Sequence, residues 1–133
     1  MRISLTIFSL FILSGCTLRA EFSPEKNELN DALVGEPYYA QINILGGNVA
    51  TLTNYHGDRE FVGNISPGDT GLYLAHCNND KYNNNCVQIR GVPTQKGVIK
   101  VRVSGLFNVA MFQKSSEFDK TYTIKIKDSE GSF

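Results

Sequence analysis

The segment over residues 89–103 constrains the fold of this chain most, because it has the pattern of two strands joined by a tight turn. From residue 98 to 103, apolar and basic side chains alternate, which is the period of a strand with one buried and one wet face. Pro93 fixes its own φ and has no N–H to donate, so it predicts the break between the two strands. Gly91 and Gly97 flank this break and predict backbone positions with positive φ.

Short alternating segments recur along the rest of the chain, separated by residues that favour turns. The predicted strands cover residues 38–44, 49–55, 60–65, 72–77, 86–89, 98–103 and 121–127. No segment has the apolar period of a long helix. Seven short strands at regular spacing predict an all-β chain that folds as an antiparallel β-sandwich of about 100 residues.

The N-terminus has the pattern of an export signal. Arg2 precedes an apolar run of eleven residues, which is shorter than the roughly 20 residues of a membrane span and fits a secretory signal peptide. The run ends in Leu13-Ser14-Gly15-Cys16, which resembles the lipobox of bacterial lipoproteins. The resemblance implies cleavage before Cys16 and acylation of its thiol, which attaches the protein to a membrane, and Thr17 implies the outer membrane. The alternative is an ordinary signal peptide in which Cys16 is incidental.

These features divide the chain into four predicted parts. They are a signal peptide over residues 1–15, an acylated cysteine and polar tether over 16–31, a β domain over 32–128 and a tail over 129–133. The 118 residues that remain after cleavage suffice for one domain. Their net charge of −1 provides no basic excess to attract nucleic acid.

Two cysteines remain once Cys16 is acylated, and they are Cys77 and Cys86. An exported chain folds in an oxidising environment, where a pair of cysteines is expected to form a disulfide. The polar residues 78–85 between them suit a turn, so the bond would close a hairpin loop. A redox-active pair is the alternative, but the spacing differs from the C-x-x-C pattern.

Five motifs, in the order in which they occur, resemble bacterial immunoglobulin-like and dystroglycan-type cadherin-like domains. They are Val34-Gly35-Glu36-Pro37-Tyr38, Gly46-Gly47, Pro67-Gly68 with Gly71-Leu72, Gly91-Val92-Pro93-Thr94 with Gly97, and Tyr122-Thr123-Ile124. The resemblance spans residues 33–127. It implies an immunoglobulin-like sandwich that binds a partner or acts as a spacer, without catalysis. Cadherin-type calcium sites need clustered acidic loop motifs, which the chain lacks, so we expect no calcium.

No motif of an enzyme or of a cofactor site is present. His56 and His76 are the only histidines, and their spacing does not indicate a metal site. We therefore expect no enzyme, no cofactor and no metal. The expected function is that of an envelope lipoprotein whose domain binds a protein or glycan partner. The alternative is a small periplasmic inhibitor or exclusion lipoprotein, for example one that acts against lysozyme.

The segment over residues 104–116 is unusually apolar for a link between two strands. It contains a candidate partner surface, formed by Leu106, Phe107, Val109, Met111 and Phe112. Exposed apolar patches usually mark interaction sites, and loops at the end of a sandwich commonly carry binding functions. The alternative is that Phe107, Val109 and Met111 point inward as a continuing strand.

Overall fold

The structure, a computed structural model, describes residues 19–50, 62–80, 82–108 and 116–128. These ranges contain eight strands and one short 3-10 turn, Cys77–Asn79, and no α-helix. The predicted all-β class is therefore confirmed. No helix that could cross a bilayer occurs in the same ranges.

The strands form two sheets of four. The first sheet has the order β1 (Glu21–Ser23), β3 (Tyr38–Leu45), β6 (Cys86–Gly91) and β5 (Leu72–His76). The second sheet has the order β2 (Ala32–Leu33), β8 (Glu117–Lys127), β7 (Gly97–Leu106) and β4 (Gly63–Ser66). Neighbouring strands are antiparallel except β2 and β8, which are parallel. This arrangement is consistent with the predicted β-sandwich.

Six of the seven predicted strands match observed ones in place, although several differ in length. The strand predicted over residues 60–65 is observed at Gly63–Ser66, and the last one begins earlier than predicted, at Glu117. The remaining predicted strand, over 49–55, lies mostly outside the described residues. Its first residue, Val49, forms an isolated bridge with Phe107.

Alternate side chains of both sheets meet in one apolar core. Burying each large aliphatic side chain stabilises the fold by roughly 1.5–3 kcal/mol, so the alternation that predicts the strands also holds the sheets together. The core side chains with at most 1% of their surface exposed are Ile42, Ile44, Ile89, Ile99, Val101, Val103, Tyr122, Ile124 and Ile126.

The chain before β2 belongs to the fold, so the prediction of a tether over residues 16–31 is wrong from Glu21 onward. Strand β1 pairs with the last residues of β3. Leu29 is buried in the core, and its backbone N–H donates to the carbonyl oxygen of Thr123 at 3.0 Å. The sequence pattern did not predict β1 because this strand has only three residues. Its single inward side chain, Phe22, is too little to show an alternation.

Two buried tyrosines hold this N-terminal segment in place. The hydroxyl of Tyr122 donates to the carbonyl oxygen of Pro24 at 2.6 Å, and that of Tyr38 donates to the carbonyl oxygen of Asn30 at 2.8 Å. Burial raises the pKa of each hydroxyl to about 12, and the charge of Asp31 adds to the effect at Tyr38. Both hydroxyls therefore stay neutral at a pH where an unfolded tyrosine begins to ionise.

We expect the free energy of unfolding of Tyr122→Phe to fall less steeply than that of wild type as the pH rises above 10. A hydroxyl whose pKa rises on folding stabilises the protein below pH 10, and this contribution is lost as the pH rises towards 12. The substitution should lower the free energy of unfolding by about 1 kcal/mol at pH 8, because a hydrogen bond is lost. The difference in the free energy of unfolding between the variant and wild type should then be smaller at pH 10 and pH 11. Urea titrations at each pH measure it. Tyr73→Phe, at an exposed position, is the control, and parallel curves for Tyr122→Phe and wild type would contradict the expectation.

The corner predicted around Pro93 is present. Gly91 ends β6 with φ +123°, and Gly97 begins β7 with φ +155°, as predicted. A Cβ atom built on Gly91 would lie 2.0 Å from the carbonyl oxygen of Gly71. The turn before β5 and the end of β6 are therefore in backbone contact, which leaves no room for a side chain at Gly91.

Phe107 lies in the core, and its assignment to an exposed partner surface is wrong. Its side chain is 2% exposed, and its ring centroid lies 5.3 Å from that of Phe118. Phe118 in turn meets Phe22 of the first sheet with centroids 5.9 Å apart. A Cβ atom on Gly47 would lie 3.0 Å from the Phe107 ring, so the glycine leaves the space that the ring fills. This cluster packs the two sheets together at one end, which we call the Gly47 end; the opposite one is the Pro93 end.

Candidate binding face

Three large side chains form a row across the outer surface of the first sheet. Tyr39 on β3 and Tyr73 on β5 each pair with Arg90 on the central strand β6. Because side chains alternate along a strand, all three point away from the core. Tyr39 is 56% exposed and Tyr73 is 55% exposed. The row therefore presents two aromatic rings on either side of one guanidinium group.

A network of side-chain amides lies beside this row, on the same outer surface of the first sheet. The Tyr39 hydroxyl donates to Oε1 of Gln41 at 2.8 Å, and Nε2 of Gln41 donates to Oδ1 of Asn43 at 3.1 Å. Gln88 lies on the neighbouring strand β6 and donates from Nε2 to the Tyr39 hydroxyl at 3.2 Å. These bonds hold the Tyr39 hydroxyl in place, and a side chain that is already ordered loses less entropy in any contact it makes.

One buried acceptor in this network has no partner. Gln88 is only 2% exposed although it lies on the outer surface of the sheet, and its Oε1 atom forms no hydrogen bond with any described residue. A buried acceptor without a partner costs about 1–3 kcal/mol. Buried side-chain acceptors without a partner are few in folded proteins.

The charge of Arg90 is also poorly compensated. Its guanidinium carbon lies 5.7 Å from the centroid of the Tyr39 ring, which is a cation–π distance. The ion pairs of the described residues join Arg102 to Asp119 and Lys127 to Asp31, and none of them includes Arg90. Arg102 lowers the pKa of the Asp119 carboxyl by hydrogen bonding, whereas no carboxylate of the described residues forms an ion pair with Arg90.

We call this surface the Tyr–Arg face, and it comprises Tyr39, Gln41, Tyr73, Ala75, Gln88 and Arg90. It contains no lysine and no carboxylate. The cores of protein interfaces are likewise enriched in Tyr and Arg and depleted in Lys, Asp and Glu. The composition of these six residues thus matches that of an interface core.

The predicted site residues are placed as follows. Cys77 and Cys86 form a disulfide with Cα atoms 5.8 Å apart, as predicted; for so short a loop its stabilisation is roughly 2.5–3 kcal/mol. Leu106 is half-buried and lines an open cleft of about 340 Å³ beside Phe118. Phe107 is in the core, as described above. Four predicted site residues lie outside the described residues, namely Cys16, Val109, Met111 and Phe112.

Sequence reasoning missed the Tyr–Arg face. The alternation along residues 38–44 places Tyr39 outward, and Tyr73 lies between two apolar residues, so two exposed tyrosines could have been found. Their alignment with Arg90 depends on strand register, which local pattern does not give. No group of three or more His, Cys, Asp or Glu side chains within the described ranges could hold a metal ion.

Comparison with known proteins found no similarity: no family model, no curated protein and no solved structure matches this chain.

Proposed function

We propose that this chain is an envelope lipoprotein, acylated at Cys16 in the outer membrane, whose immunoglobulin-like domain binds a protein partner without catalysing a reaction. The sequence at residues 13–16 supports the export and the anchor. The Tyr–Arg face is the observation that carries the binding role.

The strand order supports an immunoglobulin-like domain. In such domains one sheet contains strands A, B, E and D and the other contains C, F and G. Here β1, β3, β6 and β5 take the places of A, B, E and D, while β4, β7 and β8 take those of C, F and G. Strand β2 extends the second sheet beside β8, so the first part of the chain contributes to both sheets.

The chemistry of the Tyr–Arg face favours a protein over a glycan. Alanine scans of protein interfaces find the largest losses at Trp, Tyr and Arg, in the centre of the interface. Arg90 occupies such a centre, with Tyr39 and Tyr73 on either side. A partner that supplies a carboxylate to Arg90 would complete the pairing that the described residues leave open.

We expect Arg90→Ala to weaken binding of the partner by at least about 2 kcal/mol, roughly 30-fold in Kd. The partner would first be captured from envelope extract with the wild-type domain, identified by mass spectrometry, purified and titrated by calorimetry. Tyr73→Ala should weaken binding by more than about 1 kcal/mol. Because both residues are on the surface, the free energy of unfolding should change by no more than about 0.5 kcal/mol.

Lys100→Ala is the matched control, since Lys100 is an exposed cation on the outer surface of the second sheet. It should leave the Kd unchanged. Equal loss in Lys100→Ala and Arg90→Ala would point to a diffuse electrostatic effect and contradict the Tyr–Arg face. Binding that survives protease treatment of the extract would contradict a protein partner and indicate a glycan.

The anchor has its own test. Cys16→Ser removes the thiol that acylation needs, so we expect the protein to leave the membrane fraction or to accumulate with its signal peptide uncleaved. Fractionation of cells followed by mass measurement distinguishes these results from wild type. Normal processing of Cys16→Ser with unchanged membrane association would show that residues 1–16 are not a lipoprotein signal.

A further inference from the structure

Very little chain separates the proposed acylation site from the folded domain. The backbone of Arg19 already lies against the turn after β3, because a Cβ atom on Gly46 would be 2.1 Å from the Arg19 carbonyl oxygen. From Cys16 to Arg19 the chain advances three residues, which span at most about 11 Å when fully extended. An anchor at Cys16 therefore restricts which part of the domain can lie near the bilayer.

The point of entry is the Gly47 end of the sandwich. Glu21 of β1 pairs with Leu45, the last residue of β3. The same end carries the disulfide hairpin after β5 and the end of β7, since Asn43 pairs with Cys86 and Val49 pairs with Phe107.

Hydrogen bonds bind these loops into one unit. Nδ2 of Asn85 donates to the carbonyl oxygens of Ile44 at 2.9 Å and Gly47 at 2.6 Å, and its Oδ1 accepts from the backbone N–H of Val49 at 3.1 Å. The N–H of Asn108 donates to the carbonyl oxygen of Asn48 at 2.7 Å. These bonds join the described parts of the hairpin, the glycine turn and the end of β7 into one rigid unit.

We propose that the Gly47 end of the domain rests on the lipid headgroups of the membrane that holds Cys16, with the Pro93 end pointing away. This orientation depends on the proposed acylation of Cys16. It adds a second membrane contact, made by the folded domain itself.

The surface of the Gly47 end suits a headgroup layer. Tyr82 is 66% exposed at the tip of the disulfide hairpin, and Leu45 is 51% exposed beside β1. Tyrosine is favoured at the boundary between water and lipid, where its ring and hydroxyl meet different surroundings. Neutral amides are also exposed among the described residues here, and they cost less to desolvate than charged side chains. They are Asn48, Asn78, Asn79 and Asn83.

The described charges at this end do not favour anionic lipid. The described ionisable groups nearest this end are Arg19, Glu21, Asp80 and Glu117, which together carry a net negative charge. The acyl chains with the short connection therefore provide the restraint in this proposal. The contact should form equally well on zwitterionic vesicles.

The test compares fluorescent labels at the two ends of the lipidated protein. With Cys16 acylated and Cys77 bonded to Cys86, an introduced cysteine is the single free thiol. Asn48→Cys reports on the Gly47 end and Gln95→Cys on the Pro93 end, and both positions are exposed. The labelled proteins would be reconstituted into phosphatidylcholine vesicles in which a fraction of the lipid has a spin label on its headgroup, which quenches nearby fluorescence.

We expect the Asn48→Cys label to lose most of its fluorescence and the Gln95→Cys label to lose almost none. Equal quenching of the two labels on acylated protein would overturn the orientation while leaving the lipoprotein assignment intact. A mass that lacks acyl chains, with no vesicle binding, would overturn both. A flexible Gly/Ser insert of about 20 residues between Leu18 and Arg19 is the matched control, because it frees the domain from the surface. The insert should abolish the difference between the labels, and a persistent difference would show that the short connection is not its cause.

Discussion

Phe107→Ala should lower the free energy of unfolding by about 3–5 kcal/mol, as truncation of a core aromatic residue typically does. The ring is almost fully buried and packs on Phe118 at a centroid distance of 5.3 Å. Its removal would leave a cavity between the two sheets, and Gly47 on the other side has no side chain to fill it. The loss would be measured as a shift of the urea midpoint at constant slope.

Tyr73→Ala removes a ring of similar size from the surface, so it is the control and should change stability by no more than about 0.5 kcal/mol. If Phe107→Ala were as mild as Tyr73→Ala, the side chain would have to lie outside the core. The candidate partner surface over residues 106–112 would then regain Phe107.

Gly91→Ala is expected to lower the free energy of unfolding by at least about 3 kcal/mol. Two costs combine at this position. The φ angle of +123° is strained for a residue with a side chain, and the new Cβ atom would collide with the carbonyl oxygen of Gly71 at 2.0 Å. Both partners in the collision are backbone, so relief requires the turn before β5 and the end of β6 to separate. Thermal and urea unfolding measure the loss.

Gly97→Ala distinguishes the two costs. Gly97 has φ +155°, but no atom of a described residue lies within 4 Å of the position of a Cβ, so its substitution is expected to cost only about 1 kcal/mol. If Gly91→Ala and Gly97→Ala proved equally damaging, backbone strain alone would explain both. The close approach of Gly91 and Gly71 would then carry no energetic weight.

Local sequence patterns predicted part of this fold. Alternation of apolar and polar residues predicted β3 and β7 because each has several inward side chains in a row. Pro93 with its flanking glycines predicted the corner, since these residues have few allowed conformations. All of these signals are local, and local signals were enough for the all-β class and for the disulfide.

Features that depend on partners distant in sequence were not predictable in this way. Strand β1 is held by β3 and β8 rather than by its own pattern. Phe107 is buried because Gly47 leaves space for it, a relation across 60 residues of chain. The Tyr–Arg face exists only because the registers of three strands bring Tyr39, Tyr73 and Arg90 into one row.

The antiparallel pairing of β1 with the end of β3 has a mechanical consequence for a protein held at Cys16. If Cys16 is acylated and a partner binds the Tyr–Arg face, as proposed, force between the partner and the membrane would pass through β1 and run along its axis. Hydrogen bonds of an antiparallel pair are perpendicular to the strands, so such a load shears them together and does not open them one by one. The row of Tyr39 lies six residues from Leu45, roughly 20 Å along β3. The partner would therefore pull on the whole length of the first sheet, and tension would reach β1 in the direction in which a strand pair resists it best.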